Sequence, residues 1–380
     1  MRTIALLAVL AAAACATKPP APARLPAQVA LDVATRTSDV VFYGEAHDDR
    51  RQHDYERELL GEIAAAAPQG TPILVGMEMF QRPFQQPLDD YVAGRIDEKE
   101  MLRRTEYFKR WNFDYTFYAP LWRWCREHGG RVVALNAEAS IITKIRKGTG
   151  LPGLSSDERA HLATDIELTD AAHRARVEER FRAAGHPLTQ PWYEAMTSWD
   201  ETMAESAADA LAAAGPGARM LVVAGAGHIE NGTGIPDRMA RRIPGKKRVI
   251  IVGETAESAE TPPVVHEVDE FVVAFAKHED EPPAPKLGIG FDEQPGREGV
   301  VVKTVLPGGS AAKAGVAVGD VLSSLGGVLL FGTTDVRYLM DVAKVGDVLA
   351  CYGLRDGAPI AFTITLVPLP PPAPEAAPKP

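Results

Sequence analysis

Val40-Val41-Phe42-Tyr43-Gly44-Glu45-Ala46-His47-Asp48-Asp49 is the stretch on which the fold turns. Four apolar residues run without alternation into a glycine, as in a strand buried on both faces. The polar residues after Gly44 then belong to a loop at the strand's carboxyl end. Asp48 and Asp49 suit the cap of a following helix, where a carboxylate meets free N–H groups. That helix is expected over Arg51 to Ala67, with Leu59, Leu60 and Ile63 on one face. The alternation then repeats. Strands are expected at Ile73 to Phe80, Arg131 to Leu135, Met220 to Ala224 and Arg248 to Val252, and Phe271 to Phe275 suits an edge strand. A helix-rich insert fills Phe84 to Gly129. Helices run from Glu138 to Ala214, broken at Pro152, Pro187 and Pro191, and a further one lies near Pro236 to Arg242. Uniformly apolar strands alternating with helices imply an α/β fold, a mostly parallel sheet flanked by helices with a helical insert.

The chain has 380 residues, 46% of them hydrophobic and 24% charged, enough for two domains with real cores. The net charge of −10 argues against nucleic acid as a partner. The basic run Arg238 to Arg248 has no interleaved aromatics and reads as a solvated helix end and turn.

The first residues read as a processing signal. Arg2 precedes an apolar run, Ile4 to Leu10, then small residues Ala11 to Ala14, then Cys15. This resembles a bacterial lipobox, although Ala12 stands where Leu is commoner. It implies a lipidated Cys15 and a cell-envelope location on the membrane. Ala16 is not the Asp of inner-membrane retention, so the outer membrane is expected. The expected organisation is signal peptide and lipobox 1–15, tether 16–35, α/β domain 36–276, linker 277–286, a second, small β-rich domain 287–367 and a Pro-rich tail 368–380. Cys125 and Cys351 fall in different domains, and no Cys-x-x-Cys pair offers a thiolate zinc site.

Ligands of open α/β sheets bind outside the carboxyl ends of the strands. Glu45 and His47 follow the first strand, Glu78 ends the second, Asn136 and Glu138 follow the third, and Gly225-Ala226-Gly227-His228 follow the fourth. His47, Glu78 and His228 are therefore expected on one rim. With Glu45 they make an N/O set for a divalent metal ion, or an acid and base for hydrolysis.

Gly44-Glu45-Ala46-His47, Met77-Glu78-Met79-Phe80, Asn136, Ser198-Trp199-Asp200-Glu201-Thr202-Met203-Ala204 and Gly225-Ala226-Gly227-His228 together resemble the ChaN-like haem-binding domain, over about Asp39 to Val252. That family is grouped with Tiki metalloproteases and erythromycin esterases. The resemblance implies a surface lipoprotein of haem and iron acquisition, a homodimer that holds haem between protomers, a Tyr on iron and a His nearby. Candidate haem contacts are Tyr115, Tyr118, His47 and His228. Tyr107 to Trp124 is crowded with aromatics that suit a porphyrin, and Arg103, Arg104, Lys109 and Arg110 suit its propionates. The Tiki likeness implies the alternative, metal-dependent peptide hydrolysis with Glu45, His47, Glu78 and His228 as catalytic or metal residues. His161, His173 and His186 are expected at the surface.

The second domain resembles a bacterial PDZ domain. Leu287-Gly288-Ile289-Gly290-Phe291 looks like its carboxylate-binding loop and groove strand, and Thr333 to Ala343 like the helix lining the groove. Gly288, Ile289, Gly290 and Phe291 would bind the C-terminal peptide of an envelope protein by strand addition. A PDZ scaffold with a vestigial α/β site is the third reading.

Overall fold

The computed structural model describes residues 26–256, 264–267, 270–276, 285–294 and 298–368. Cys15, the first part of the expected tether, most of the linker and the tail lie outside them.

The first domain is a seven-stranded sheet of β1 (Val40–Glu45), β2 (Ile73–Gln81), β3 (Arg131–Asn136), β4 (Arg219–Gly225), β5 (Arg248–Ala256), β6 (Val264–Glu267) and β7 (Glu270–Ala276). Their order is β3-β2-β4-β1-β5-β7-β6. All neighbours are parallel except β6 and β7. The 271–275 strand is therefore not the edge that was expected. The short β6 pairs outside it.

Every residue of β1 is buried, which is why the sequence there does not alternate. The faces still do. Val41 and Tyr43 enter one core with Leu59, Leu60 and Trp122, while Val40 and Phe42 enter the other with Met203, Ala207 and Met239.

Helices α1 (Pro26–Thr37), α2 (Arg50–Ala66) and the insert helices α3 (Gln85–Val92), α4 (Glu98–Arg104), α5 (Tyr107–Arg110) and α6 (Tyr115–His128) precede β3. Between β3 and β4 come α7 (Ala139–Lys147), α8 (Ser156–Ala160), α9 (Ala171–Ala183) and the long α10 (Gln190–Ala213), and α11 (Ile235–Arg242) precedes β5. Helix α1 occupies the second half of the stretch expected as tether, and its Leu31 is buried in the core of the first domain.

The second domain holds β8 (Ile289–Glu293), β9 (Val300–Val305), α12 (Ser310–Lys313), β10 (Val321–Leu325), β11 (Val328–Leu329), α13 (Thr333–Met340), β12 (Val348–Arg355) and β13 (Ala358–Thr365). Its antiparallel order is β13-β12-β10-β9-β8, with β11 on β10. The expected groove strand β8 is thus an edge with a free pairing side. A cavity of about 1390 Å³ lies along it, lined by Leu287, Ile289 and Phe291 on one side and Val336 and Met340 of α13 on the other.

Helix α13 also packs on the insert of the first domain. The Tyr338 ring stacks on Tyr115 with centroids 5.1 Å apart, Lys99 Nζ lies 3.0 Å from Asp335 Oδ1, and Arg337 donates to Asn112 Oδ1 at 2.7 Å. Arg50, Asn112, Asp114 and Phe117 of the first domain consequently complete the wall of the groove.

Candidate functional site

Strands β2, β4 and β1 are neighbours, so their carboxyl ends open onto one place. Glu45 pairs in register with Gly225, and Met77 with Val223. The residues that follow are Glu78, His47 and His228. Asp49 caps α2 as expected, accepting from Arg51 N at 3.0 Å, and Ala46 N donates to Gln52 Oε1 at 2.8 Å. These bonds fix the loop that carries His47.

The His47 ring is held by its Nδ1, 2.8 Å from Glu45 Oε1. Trp111 and Phe113 flank it with centroids 4.7 and 5.1 Å away. Its side chain keeps 28% of its surface exposed, while the Glu45 carboxylate has none. The ring lies so close to Gly225 that a Cβ there would stand 2.9 Å from its Cε1. Gly225 N in turn donates to Glu78 Oε2 at 2.7 Å.

His228 repeats the arrangement. Its Nδ1 is 2.5 Å from Asp200 Oδ1, and its Nε2 is 3.6 Å from Glu78 Oε1. Asp200 Oδ2 meets His173 Nε2 at 2.8 Å, and His173 Nδ1 meets the Tyr193 hydroxyl at 3.4 Å. Two imidazoles thus have Nδ1 on a buried carboxylate, which fixes ring orientation and makes Nε2 the outward donor atom.

Charge follows from this layout. Burial pushes the Glu45 carboxyl up to about 7, assisted by Glu56 and opposed by the His47 hydrogen bond. Burial would raise Asp200 too, but the His228 charge and the bonds from His173 and His228 hold it far below the usual carboxylate range. Burial disfavours the charged form of His47, yet the Glu45 hydrogen bond and the Glu78 charge raise it overall. In His228 the charges of Glu78 and Asp200 likewise outweigh burial.

A second cluster lies beneath. His53 and Glu56, from the first turns of α2, meet Glu45. His53 Nδ1 is 3.2 Å from both Glu45 Oε2 and Glu56 Oε1, and Tyr118 donates its hydroxyl to Glu45 Oε1 at 3.0 Å. Phe117 stacks on His53 with centroids 4.9 Å apart. Among the described residues, Glu45, His53 and Glu56 are the set whose ligand atoms lie mutually within 4.8 Å; His47, Glu78 and His228 converge more loosely.

Other expected site residues are placed as follows. Tyr118 reaches the site, but its ring is buried. Tyr115 is 1% exposed and faces Tyr338, away from His47. Asn136 donates to the Glu78 carbonyl at 3.0 Å, supporting β2, while Glu138 accepts from Ser140 Oγ at 2.7 Å. Arg103, Arg104 and Arg110 bond Glu100, Asp90 and Glu106. His173 is fully buried, not at the surface, because Asp200 gives it a partner. The 238–248 run is not merely solvated: Arg238, Arg241 and Arg242 all converge on the buried Glu201 carboxylate. His53, Glu56 and the linking role of Asp200 escaped the sequence reading. The i, i+3 spacing of His53 and Glu56 next to the His47 loop was the available signal.

Residues 33–239 match the family described as haem-binding uptake, Tiki superfamily, ChaN. The chain belongs to this ChaN family. Residues 301–349 match the PDZ domain family. Among relatives, this ChaN family member is 26% identical over 229 residues to Protein RETICULATA-RELATED 5, chloroplastic, of Arabidopsis thaliana, covering 56% of the chain and 31% of that protein. It is 36% identical over 70 residues to the periplasmic pH-dependent serine endoprotease DegQ of Escherichia coli, covering 18% of the chain and 15% of that protease. The chain therefore spans well under half the length of either relative. The solved structure titled cofacial heme binding to ChaN of Campylobacter jejuni is 18% identical with a TM-score of 0.43, covering 60% of this chain and 85% of that one. No helix among the described residues is long and apolar enough to cross a membrane.

Proposed function

We propose that the chain binds haem at the rim formed by His47, Glu78 and His228, and a protein C-terminus in the groove beside β8. The observation that carries this reading is the His47 imidazole. It is part-exposed, fixed through Nδ1 on buried Glu45, and set between the flat apolar faces of Trp111 and Phe113. Imidazole nitrogen is a haem ligand, and aromatic walls suit a porphyrin plane. His47 would hold the iron, and bound haem would supply that iron as cargo or as a redox centre. Tyr115 and Tyr118 do not fit the ligand role, since both are buried and Tyr118 is engaged by Glu45. Membership of the ChaN family supports haem as the ligand.

The hydrolase reading asks His47, Glu78 and His228 to share one ion. It is the weaker reading, because among the described residues those three do not gather as closely as Glu45, His53 and Glu56.

The remainder of the reading concerns place and partner. Cys15 would carry the lipid that fixes the protein to the outer membrane as a homodimer-forming lipoprotein of the cell envelope. Residues 16–25 would set the distance from the bilayer. The β8 edge would add the partner's last residues as a strand, with Gly288, Ile289, Gly290 and Phe291 supplying the backbone.

Haemin titration of the full chain, followed by the Soret band, tests the haem reading. A saturable shifted band at about micromolar protein is expected, an affinity of roughly 8 kcal/mol. A linear, unsaturable rise would overturn it.

A further inference from the structure

The cluster under the rim has an unresolved charge problem. His53 Nε2 lies 3.2 Å from the His47 carbonyl oxygen, so it carries a proton and donates. In the neutral ring Nδ1 then has a lone pair, not a proton. That lone pair faces Glu45 Oε2 and Glu56 Oε1, each at 3.2 Å. Three acceptor atoms point at one another where Glu45 is 2% exposed and Glu56 fully buried. Neither Glu45 Oε2 nor Glu56 Oε1 has a hydrogen-bond partner, and the Tyr43 hydroxyl, on the same face of β1 as Glu45, is buried without one too. Unpaired buried charge costs several kcal/mol, so a positive charge belongs among them. Among the described residues no Lys or Arg pairs with Glu45 or Glu56.

We propose that Glu45, His53 and Glu56 bind one divalent transition-metal cation inside the domain, apart from the rim. One imidazole nitrogen and two carboxylate oxygens make a first-row N/O donor set, and two carboxylates neutralise a 2+ ion. Metal–ligand bonds of 2.0–2.2 Å at a tetrahedral centre place ligand atoms roughly 3.3 Å apart, close to the spacing seen. Burial disfavours the imidazolium that would otherwise supply the charge. The ion would tie α2 to the end of β1, and through Glu45 set the position of His47.

The test is cobalt uptake by the chelator-stripped full chain, read by visible d–d absorption and metal analysis. One equivalent is expected, with a rise in Tm that reports binding to the folded state. Glu56→Gln, nearly isosteric, should weaken uptake about 100-fold, at least the upper cost of losing an outer-sphere partner. His228→Ala should keep it, because His228 touches only the rim. Glu56→Asp serves if Glu56→Gln does not fold, and should weaken uptake by shortening one arm. No uptake by the wild-type chain would overturn the site in favour of a shared proton. Uptake kept by either Glu56 variant, or lost in His228→Ala, would overturn it in favour of the rim. Haem titration of Glu56→Gln separates the two proposals, because a Soret band retained without cobalt, or lost with cobalt retained, assigns the failure to one site.

Discussion

Asp200 Oδ1 lies 2.5 Å from His228 Nδ1 while the other Asp200 oxygen lies 2.8 Å from His173 Nε2, so one buried carboxylate orients two imidazoles. Replacing it removes the acceptor both rings share. Asp200→Asn is expected to lower stability by about 3–5 kcal/mol, as for breaking a buried ion pair. It should weaken any ligand held by His228 by about 10–100-fold. Denaturant unfolding checks the first figure. A loss under about 1 kcal/mol would mean that the triad does not carry charge.

Gly225 is where two rim residues touch the same backbone. An added Cβ would stand 2.9 Å from His47 Cε1, closer than packed atoms come, while Glu78 holds the Gly225 N–H. Gly225→Ala should therefore displace the His47 ring and weaken haem about tenfold, the loss of one good contact. The far-UV circular dichroism should not change. Unchanged affinity would show that His47 lies off the binding face.

In the second domain Arg355 grips Asp320 with two bonds, at 2.7 and 2.8 Å. The Arg355 hydrogen bond outweighs burial and, with the Ala317 N–H, holds the Asp320 carboxyl below its ordinary value. A depressed acid contributes stability that is fully present above the unfolded value, about 3.9, and is lost as pH falls through the lower folded value. The PDZ domain should lose stability below about pH 4. Asp320→Asn should be less stable at neutral pH and show a flatter acid limb. Equal acid limbs in thermal melts of the two proteins would refute this.

Tyr115 and Tyr338 stack across the two domains at 5.1 Å. A double-mutant cycle with Tyr115→Ala and Tyr338→Ala should give a coupling of about 0.5–1.5 kcal/mol, the usual worth of an aromatic pair. Zero coupling would mean that the domains do not dock through α13. Docking has a consequence for the groove. Phe117 lines it with one part of its ring environment and stacks on His53 with another. A peptide in the groove therefore touches the residue that covers the buried cluster, and saturating a C-terminal peptide should change haem affinity measurably.

The sheet was legible because doubly buried strands write themselves as apolar runs ending in Gly44, Gly225 or a polar rim residue. The rim set of His47, Glu78 and His228 followed from strand order alone. What sequence could not show is pairing in space. His173 reads as a polar-stretch histidine until Asp200, 27 residues later on another helix, is seen beneath it. Glu201 reads as one more helix-surface acid until three arginines arrive from α11. Tyr115 looks like a ligand because aromatics cluster around it, yet its partner is Tyr338 of the second domain. Helix α1 was hidden by the prolines and alanines before it, which match a tether in composition until Leu31 finds the core.

The central claim is that the haem site is the rim at His47. The most direct test is haemin titration of His47→Ala beside the wild-type chain, read as Soret position and apparent Kd. With the iron ligand gone, the band should move toward that of free haemin and the affinity should fall by about 100-fold or more, near 3 kcal/mol. An unchanged band at unchanged affinity would contradict the account and place haem elsewhere on the molecule.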